Sequence, residues 1–231
     1  MGKTVKHKHF GEKPKLSYIT GSVKGIQRER NQDRAYVLDG PGYHLFIIFD
    51  GVSSYPESYR YIETFMEFLD EHHHEWLDNE KEGLGQLLYL AYLHCRKTSI
   101  AGSTTISALF IPDEKQLPKM VSIGDSRVYA FRRKNIVSLA EDDNVPEMPN
   151  ILTRWVGHDY LLAEDFRPVE VALDNQFLLC SDGFYGVMEE NREAFYRALK
   201  LPELEGIKEE LYRLMEGKNS DDASYILVRR G

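Results

Sequence analysis

With 231 residues, 42% hydrophobic and 29% charged, the chain is long enough to bury one sizeable core, and no stretch in it approaches the roughly 20 apolar residues of a membrane span. The formal net charge of −8 argues against a nucleic-acid partner, whose phosphates would be repelled without a dense basic patch; the same surplus fits carboxylates gathered around divalent cations. Met1 to Lys15 has no apolar core and is no signal peptide, and the two cysteines, Cys95 and Cys180, sit in apolar segments as buried free thiols suited to a reducing cytoplasm.

Residues 1–15, rich in Lys and His, read as a basic, flexible tail ahead of a single domain over 16–231. Leu16 to Thr20 is a short strand, followed by a Gly-containing loop, 21–25, and a polar run, Gln27 to Arg34, with no apolar residue. Ala35 to Leu38 then pairs, through the turn Asp39-Gly40-Pro41-Gly42, with a strand beginning at Tyr43. Leu45 to Phe49 is a continuous apolar run, long enough to cross a core and too short for a helix. It ends in Asp50-Gly51. Asp-Gly is the commonest hairpin turn pair, but here a helix follows instead of a returning strand. Gly51 has no side chain, so its carbonyl can approach a ligand as closely as the carboxylate does.

Ser54, Pro56 and Glu57 form a helix-start signature, and Ile62, Phe65, Met66 and Leu69 recur at helical spacing. A second amphipathic helix carries Leu84, Leu87, Leu88, Ala91 and Cys95. Between them, Glu71-His72-His73-His74-Glu75 invites a zinc reading, but consecutive histidines on a helix point in different directions, so a solvated face is expected. Ser103 to Ile111 and Met120 to Ile123 are strands, the second ending in Gly124-Asp125; Val128 to Phe131 follows, with a turn at Arg132 to Asn135. Periodicity fails between about 140 and 165, and a polar segment this long inside a compact domain is commonly functional or disordered. Val169 and Val171 mark an edge strand. Gln176 to Cys180 repeats the earlier pattern, an apolar run ending in Ser181-Asp182-Gly183 with a helix after it. Further helices fit Arg192 to Lys200 and Leu204 to Gly217, and after Asn219-Ser220-Asp221-Asp222-Ala223 a final strand runs from Ser224 to Val228.

Four apolar strands thus carry carboxylates at their ends: Asp50, Asp125 and Asp182 at exits, Asp221 just before a start. If neighbouring strands turn over at one rim, these charges converge, and like charges cannot sit close in a low dielectric without cations. Ligation by oxygen alone, with no His or Cys nearby, suits Mg²⁺ or Mn²⁺ better than zinc.

The motifs resemble, in order and from Gly21 to Arg229, those of the type-2C metal-dependent serine/threonine protein phosphatases (the PPM family), in the form of a compact bacterial-type member. Arg28-x-x-Asn31-Gln32-Asp33 resembles the family's Arg-x-x-Asn-Glu-Asp; Phe49-Asp50-Gly51, Gly102-Ser103-Thr104, Ile123-Gly124-Asp125-Ser126-Arg127 and Cys180-Ser181-Asp182-Gly183 resemble its other signatures. Asp221-Asp222-Ala223-Ser224 resembles its closing Asp-Asn-x-Ser/Thr.

The resemblance implies an α+β fold, a sandwich of two mainly antiparallel β-sheets flanked by helices on both sides, with a short flap at about 140–165. It implies that Asp50 bridges two Mn²⁺ or Mg²⁺ ions, with the Gly51 carbonyl, Asp182 and Asp221 completing one site. Asp33 serves the other through water, and Asp125 shares a third, weaker position with Asp182. Arg28 grips the substrate phosphate, and a hydroxide between ions about 3.5–4 Å apart attacks phosphorus in line. The implied substrate is a phosphoserine or phosphothreonine protein, opposing a serine/threonine kinase, for a monomer in the cytoplasm with no membrane or nucleic-acid partner. Departures are Gln32 for the usual Glu, Val52-Ser53-Ser54 where many relatives carry Gly and His, and Gly186 where an Asp often stands. His158, in the irregular segment, is a candidate to replace the missing proton donor. These departures motivate an alternative, a phosphoprotein-binding regulatory module with weak or no turnover.

Overall fold

A computed structural model describes residues 16–78, 83–113, 116–132 and 135–230. The expected tail at 1–15 and the centre of the turn expected at 132–135 lie outside them. In chain order the strands are β1 Leu16–Val23, β2 Arg34–Gly40, β3 Tyr43–Gly51, β4 Thr104–Pro112, β5 Lys119–Ile123, β6 Arg127–Arg132, β7 Asn135–Ser138, β8 Asn144–Val145, β9 Met148–Leu152, β10 Val169–Glu170, β11 Gln176–Cys180 and β12 Ala223–Arg230. The helices are α1 Ser58–Leu77, α2 Gly83–Arg96, α3 Asp182–Glu190, α4 Arg192–Ala198 and α5 Leu204–Met215. One sheet runs β10-β5-β4-β3-β2 and the other β1-β12-β11-β6-β7, with antiparallel pairing throughout.

The apolar run in β3 explains the layering. All five residues from Leu45 to Phe49 are fully buried, which requires cover on both faces of the sheet. Leu45, Ile47 and Phe49 pack against α1 and α2 with Ile62, Phe65, Leu87 and Leu88. Phe46 and Ile48 point the other way and meet Phe177, Leu179, Ile226 and Val228 of the second sheet. In β11, Leu178 and Cys180 face Phe184, Phe195 and Leu211 of the C-terminal helices. Three cores, one between the sheets and one outside each, give the expected α+β sandwich with helices on both sides. Truncating Phe46 or Phe177 to Ala costs about 3–5 kcal/mol on this packing.

Register brings one set of strand ends together. Phe49 pairs with Ile106 and Ile106 with Ile123, so β3 and β5 end at the same edge of the first sheet. Arg127 pairs with Cys180 and Cys180 with Tyr225, placing the start of β6, the end of β11 and the start of β12 together in the second. The short turn Gly124–Ser126 joins β5 to β6 and therefore puts both edges on one rim. The loop from Val23 to Arg34 crosses there too, because Val23 pairs with Ala223 and Arg34 with Phe49.

Several elements differ from the sequence reading. Helix α1 starts at Ser58 instead of near Ser54, because Val52–Tyr55 closes a turn (Tyr55 N–H to Val52 O, 3.0 Å) and the Ser58 hydroxyl donates back to Val52 and Tyr55 carbonyls. The histidine cluster is not wholly solvated: His73 is buried and its Nδ1 lies 2.8 Å from the Tyr43 hydroxyl, while His72 and His74 remain outward. The segment expected to be irregular contains the hairpin β8–β9 and a short 3-10 helix, Ala163–Phe166. Strand β7 was not anticipated; its two adjacent half-buried residues between exposed ends give no period to read. Among the described residues, no helix is long and apolar enough to cross a membrane.

Candidate active site

The rim forms a cleft of about 510 Å³, lined by Arg28, Asp50, Gly51, Asp125, Asp182 and Asp221 together with Thr105, Lys218 and Glu190. Each predicted side chain arrives on a different element. Asp50 closes β3, where the Thr104 hydroxyl donates to its carbonyl oxygen at 2.9 Å. Asp125 sits in the β5–β6 turn. Asp182 opens α3 after β11. Asp221 precedes β12, and a Cβ on Gly183 would lie 2.2 Å from the Asp222 carbonyl oxygen, so only glycine lets α3 start this close to Asp221 and Asp222.

Asp33 does not line the cleft. It is 2% exposed, and the Ser181 hydroxyl donates to its Oδ2 at 2.7 Å. Its charge is nevertheless felt by Asp50, as are those of Asp182, Asp125 and Asp221. Burial foremost, then these neighbours, holds the Asp50 carboxyl well above the ordinary carboxylate range. Burial pushes Asp33 up to about 8, with Asp222 and Asp182 adding to the shift and the Ser181 hydrogen bond opposing it. Asp125 is pushed up to about 7 by burial and by Asp182. Asp182 is raised by burial and by Asp221. Crowded acids without counter-charge hold on to protons, and a cation at the rim reverses each shift.

Arg28 is paired with Asp221 through Nε and Nη2 onto both carboxylate oxygens, and that pair raises its own pKa. Among the described residues no three His, Cys, Asp or Glu side chains close up into a cage ready for an ion; Asp221 is turned to Arg28 and Asp33 is held by Ser181. The donor chemistry nevertheless fits a hard divalent cation: the cleft offers carboxylate and backbone oxygens, with no His or Cys lining it. Gln32 Oε1 is buried without a hydrogen-bond partner, and its side chain passes Gly51 so closely that a Cβ there would lie 2.7 Å from Gln32 Cβ. An orphaned oxygen donor beside Gly51 is what an ion or its water would satisfy.

The flap is fixed next to Asp125. Asp143 accepts the Gly124 N–H at 2.9 Å and pairs with Arg154, while Arg127 bonds Asp142 and Glu189 and stacks on Tyr185. His158 does not reach the cleft; it packs on Trp155 and Tyr160. Sequence reasoning missed Lys218 and Glu190 at the mouth and the buried Thr105 in the wall. Their local sequence carries no signal, since each is an ordinary residue until the sheets stack.

Two antiparallel sheets between helical layers are the fold this chain shares with solved PPM serine/threonine protein phosphatases. The crystal structure of the PPM Ser-Thr phosphatase MsPP from Mycobacterium smegmatis in complex with cacodylate superposes with a TM-score of 0.75 at 21% identity, covering 93% of this chain and 98% of that one. The catalytic domain of the serine/threonine phosphatase PstP in complex with two manganese ions superposes with a TM-score of 0.69 at 22% identity, covering 93% and 98%. In sequence, the chain is 24% identical to the serine/threonine protein phosphatase PstP of Mycobacterium tuberculosis over 92% of its own length and 45% of that protein's. The chain thus spans about half the length of the curated relatives it matches. No protein-family model matches it.

Proposed function

We propose that the protein is a Mn²⁺- or Mg²⁺-dependent phosphatase of phosphoserine and phosphothreonine proteins. The observation that carries this is the delivery of Asp50, Asp125, Asp182 and Asp221, with Arg28, to one cleft from separate stretches of chain. Solved relatives support it, one of them holding two manganese ions.

In this reading Asp50, the Gly51 carbonyl, Asp182 and Asp221 would hold one cation, Asp50 and Asp33 with Gln32 would serve a second, and Asp125 with Asp182 would hold a weaker third. When bound, such a pair of ions supplies an attacking group by lowering the pKa of water toward neutrality. The chain's own residues do the rest. Arg28, on the mobile-length side chain best matched to two phosphate oxygens, turns from Asp221 to the phosphate and offsets charge on its equatorial oxygens. Arg28 and Lys218 are the cations at an otherwise acidic mouth, so they orient a phosphoryl group toward the rim. With no histidine lining the cleft among the described residues, solvent protonates the leaving serine or threonine oxygen. Cys95 and Cys180 are free and buried, which fits a reducing compartment such as the cytoplasm; in this reading the protein opposes a serine/threonine kinase there.

The test is release of phosphate from a phosphothreonine peptide with Mn²⁺, with Asp50→Asn and Asp182→Asn as controls. Turnover that survives both substitutions, or survives a chelator, defeats the proposal; metal-dependent peptide binding without phosphate release favours the regulatory module instead.

A further inference from the structure

The carboxylate next to the proposed cation ligand Asp221 is placed for a different task. Asp222 is 3% exposed, and each of its oxygens receives one backbone N–H: Gly25 to Oδ1 and Gln32 to Oδ2, both at 2.8 Å. Those two donors bracket the loop that carries Arg28 and Gln32 and leads into Asp33. The same segment grips the loop again, with Ile26 N–H donating to Asn219 O at 3.1 Å and the Asn219 amide donating to Val23 and Lys24 carbonyls. An asparagine at 222 could serve only one of the two N–H groups, because its amide presents one acceptor and its NH₂ would face the other donor. A carboxylate is what this geometry requires.

We infer that Asp222 is a positioning residue that clamps the Arg28 loop at both ends and supplies, one hydrogen bond from Gln32, the negative charge that Gln32 itself does not. The inference rests on the phosphatase reading and deepens it. Its charge acts on both Asp33, buried behind the cleft, and Arg28 at its mouth.

Calorimetric titration with Mn²⁺ alone, and thermal melting of the metal-free protein, separate this role from plain structural support. Asp222→Asn is expected to weaken Mn²⁺ binding about 10- to 100-fold, the range for residues that hold metal ligands in place, and to lower the metal-free melting temperature. Adding Gln32→Glu to that variant is expected to restore most of the Mn²⁺ affinity but not the melting temperature, since it returns the charge and not the second N–H bond. Gln32→Glu alone is expected to tighten Mn²⁺ binding, and it decides the matter if Asp222→Asn does not fold. A folded Asp222→Asn protein with wild-type Mn²⁺ affinity, or Gln32→Glu with unchanged affinity, overturns the inference. Wild-type protein that takes up no Mn²⁺ overturns the phosphatase reading beneath it, a distinct result seen before any variant is made.

Discussion

Arg28 and Asp221 hold each other, guanidinium to carboxylate, across the mouth of the acidic cleft. The first is the proposed phosphate grip and the second a proposed cation ligand, so the pair sets the two tasks against one another. A cation drawing on Asp221 loosens Arg28 and frees its planar fork for phosphate. Such coupling is reciprocal: whatever occupies Arg28 makes Asp221 more available to a cation.

Arg28→Ala should therefore split two measurements. The kcat/KM for a phosphothreonine peptide is expected to fall about 10²- to 10³-fold, the scale for losing one charge-stabilising donor. Mn²⁺ affinity, followed by calorimetry, is expected to hold or improve because Asp221 has lost its competitor. Arg28→Lys should recover little activity, as an ammonium cannot span two phosphate oxygens. Peptide turnover indifferent to Arg28→Ala takes Arg28 out of the phosphate-binding role.

The rim was readable because its parts are local: a run of strand length that ends directly before an Asp or one residue short of it, with Gly or Ser after the Asp, recurs at Asp50, Asp125 and Asp182 and survives any uncertainty about packing. What brought Asp33 into play was not local. It is recruited by the hydroxyl of Ser181, 148 positions away, and no spacing in the sequence announces that bond. Asp222 is a similar case, since a carboxylate beside Asp221 reads as one more acidic turn residue until both its oxygens are seen to be occupied. The histidine cluster misled for the opposite reason. Helical geometry correctly rules out a shared metal for adjacent histidines, but it does not say which of them faces inward, and the hydroxyl of Tyr43 at the far end of β3 settles that for His73.

That buried pair offers a control away from the chemistry. Tyr43→Phe leaves His73 Nδ1 without its partner inside α1, where an unmet buried polar atom costs about 1–3 kcal/mol. The melting temperature should drop accordingly. The proposed phosphatase activity, at a temperature well below melting, should not change, because Tyr43 and Asp50 are seven residues apart along β3, about 23 Å at a strand's rise per residue. A large loss of turnover with stability intact contradicts the placement of the active cleft at the Asp50 end.

Proton linkage gives the metal-free protein a distinctive pH dependence. Asp33 and Asp125 move from an ordinary 3.8 up to about 8 and about 7 on folding. Between those limits the folded state binds more protons than the unfolded one, so stability falls as pH rises from about 4 to about 8. Chelator-treated protein should accordingly melt at lower temperature at pH 8 than at pH 5. Millimolar Mn²⁺ should raise the pH 8 value, since it binds only the folded rim and replaces the missing protons, adding about 2.7 kcal/mol when its concentration is 100 times Kd. Asp33→Asn should flatten the metal-free slope. A melting temperature that climbs steadily over pH 5 to 8 without metal is the contrary result.

Ser181 tests whether Asp33 belongs to the working site or only to the wall behind it. Its hydroxyl donates to Asp33 Oδ2 at 2.7 Å and accepts the Ser224 N–H at 2.9 Å, tying the end of β11 to the start of β12 and both to Asp33. Ser181→Ala leaves the buried Ser224 N–H without its hydroxyl acceptor and takes one of two serine partners from the buried Asp33 carboxyl, so the fold should lose about 1–3 kcal/mol. The lost hydrogen bond was holding the Asp33 pKa down, so the carboxyl becomes harder to ionise. If Asp33 serves the second cation, Mn²⁺ must then displace a proton more firmly held, and the metal concentration for half-maximal turnover rises most at low pH. Ser181→Ala that melts early yet shows wild-type Mn²⁺ dependence from pH 6 to 8 assigns Asp33 to the wall.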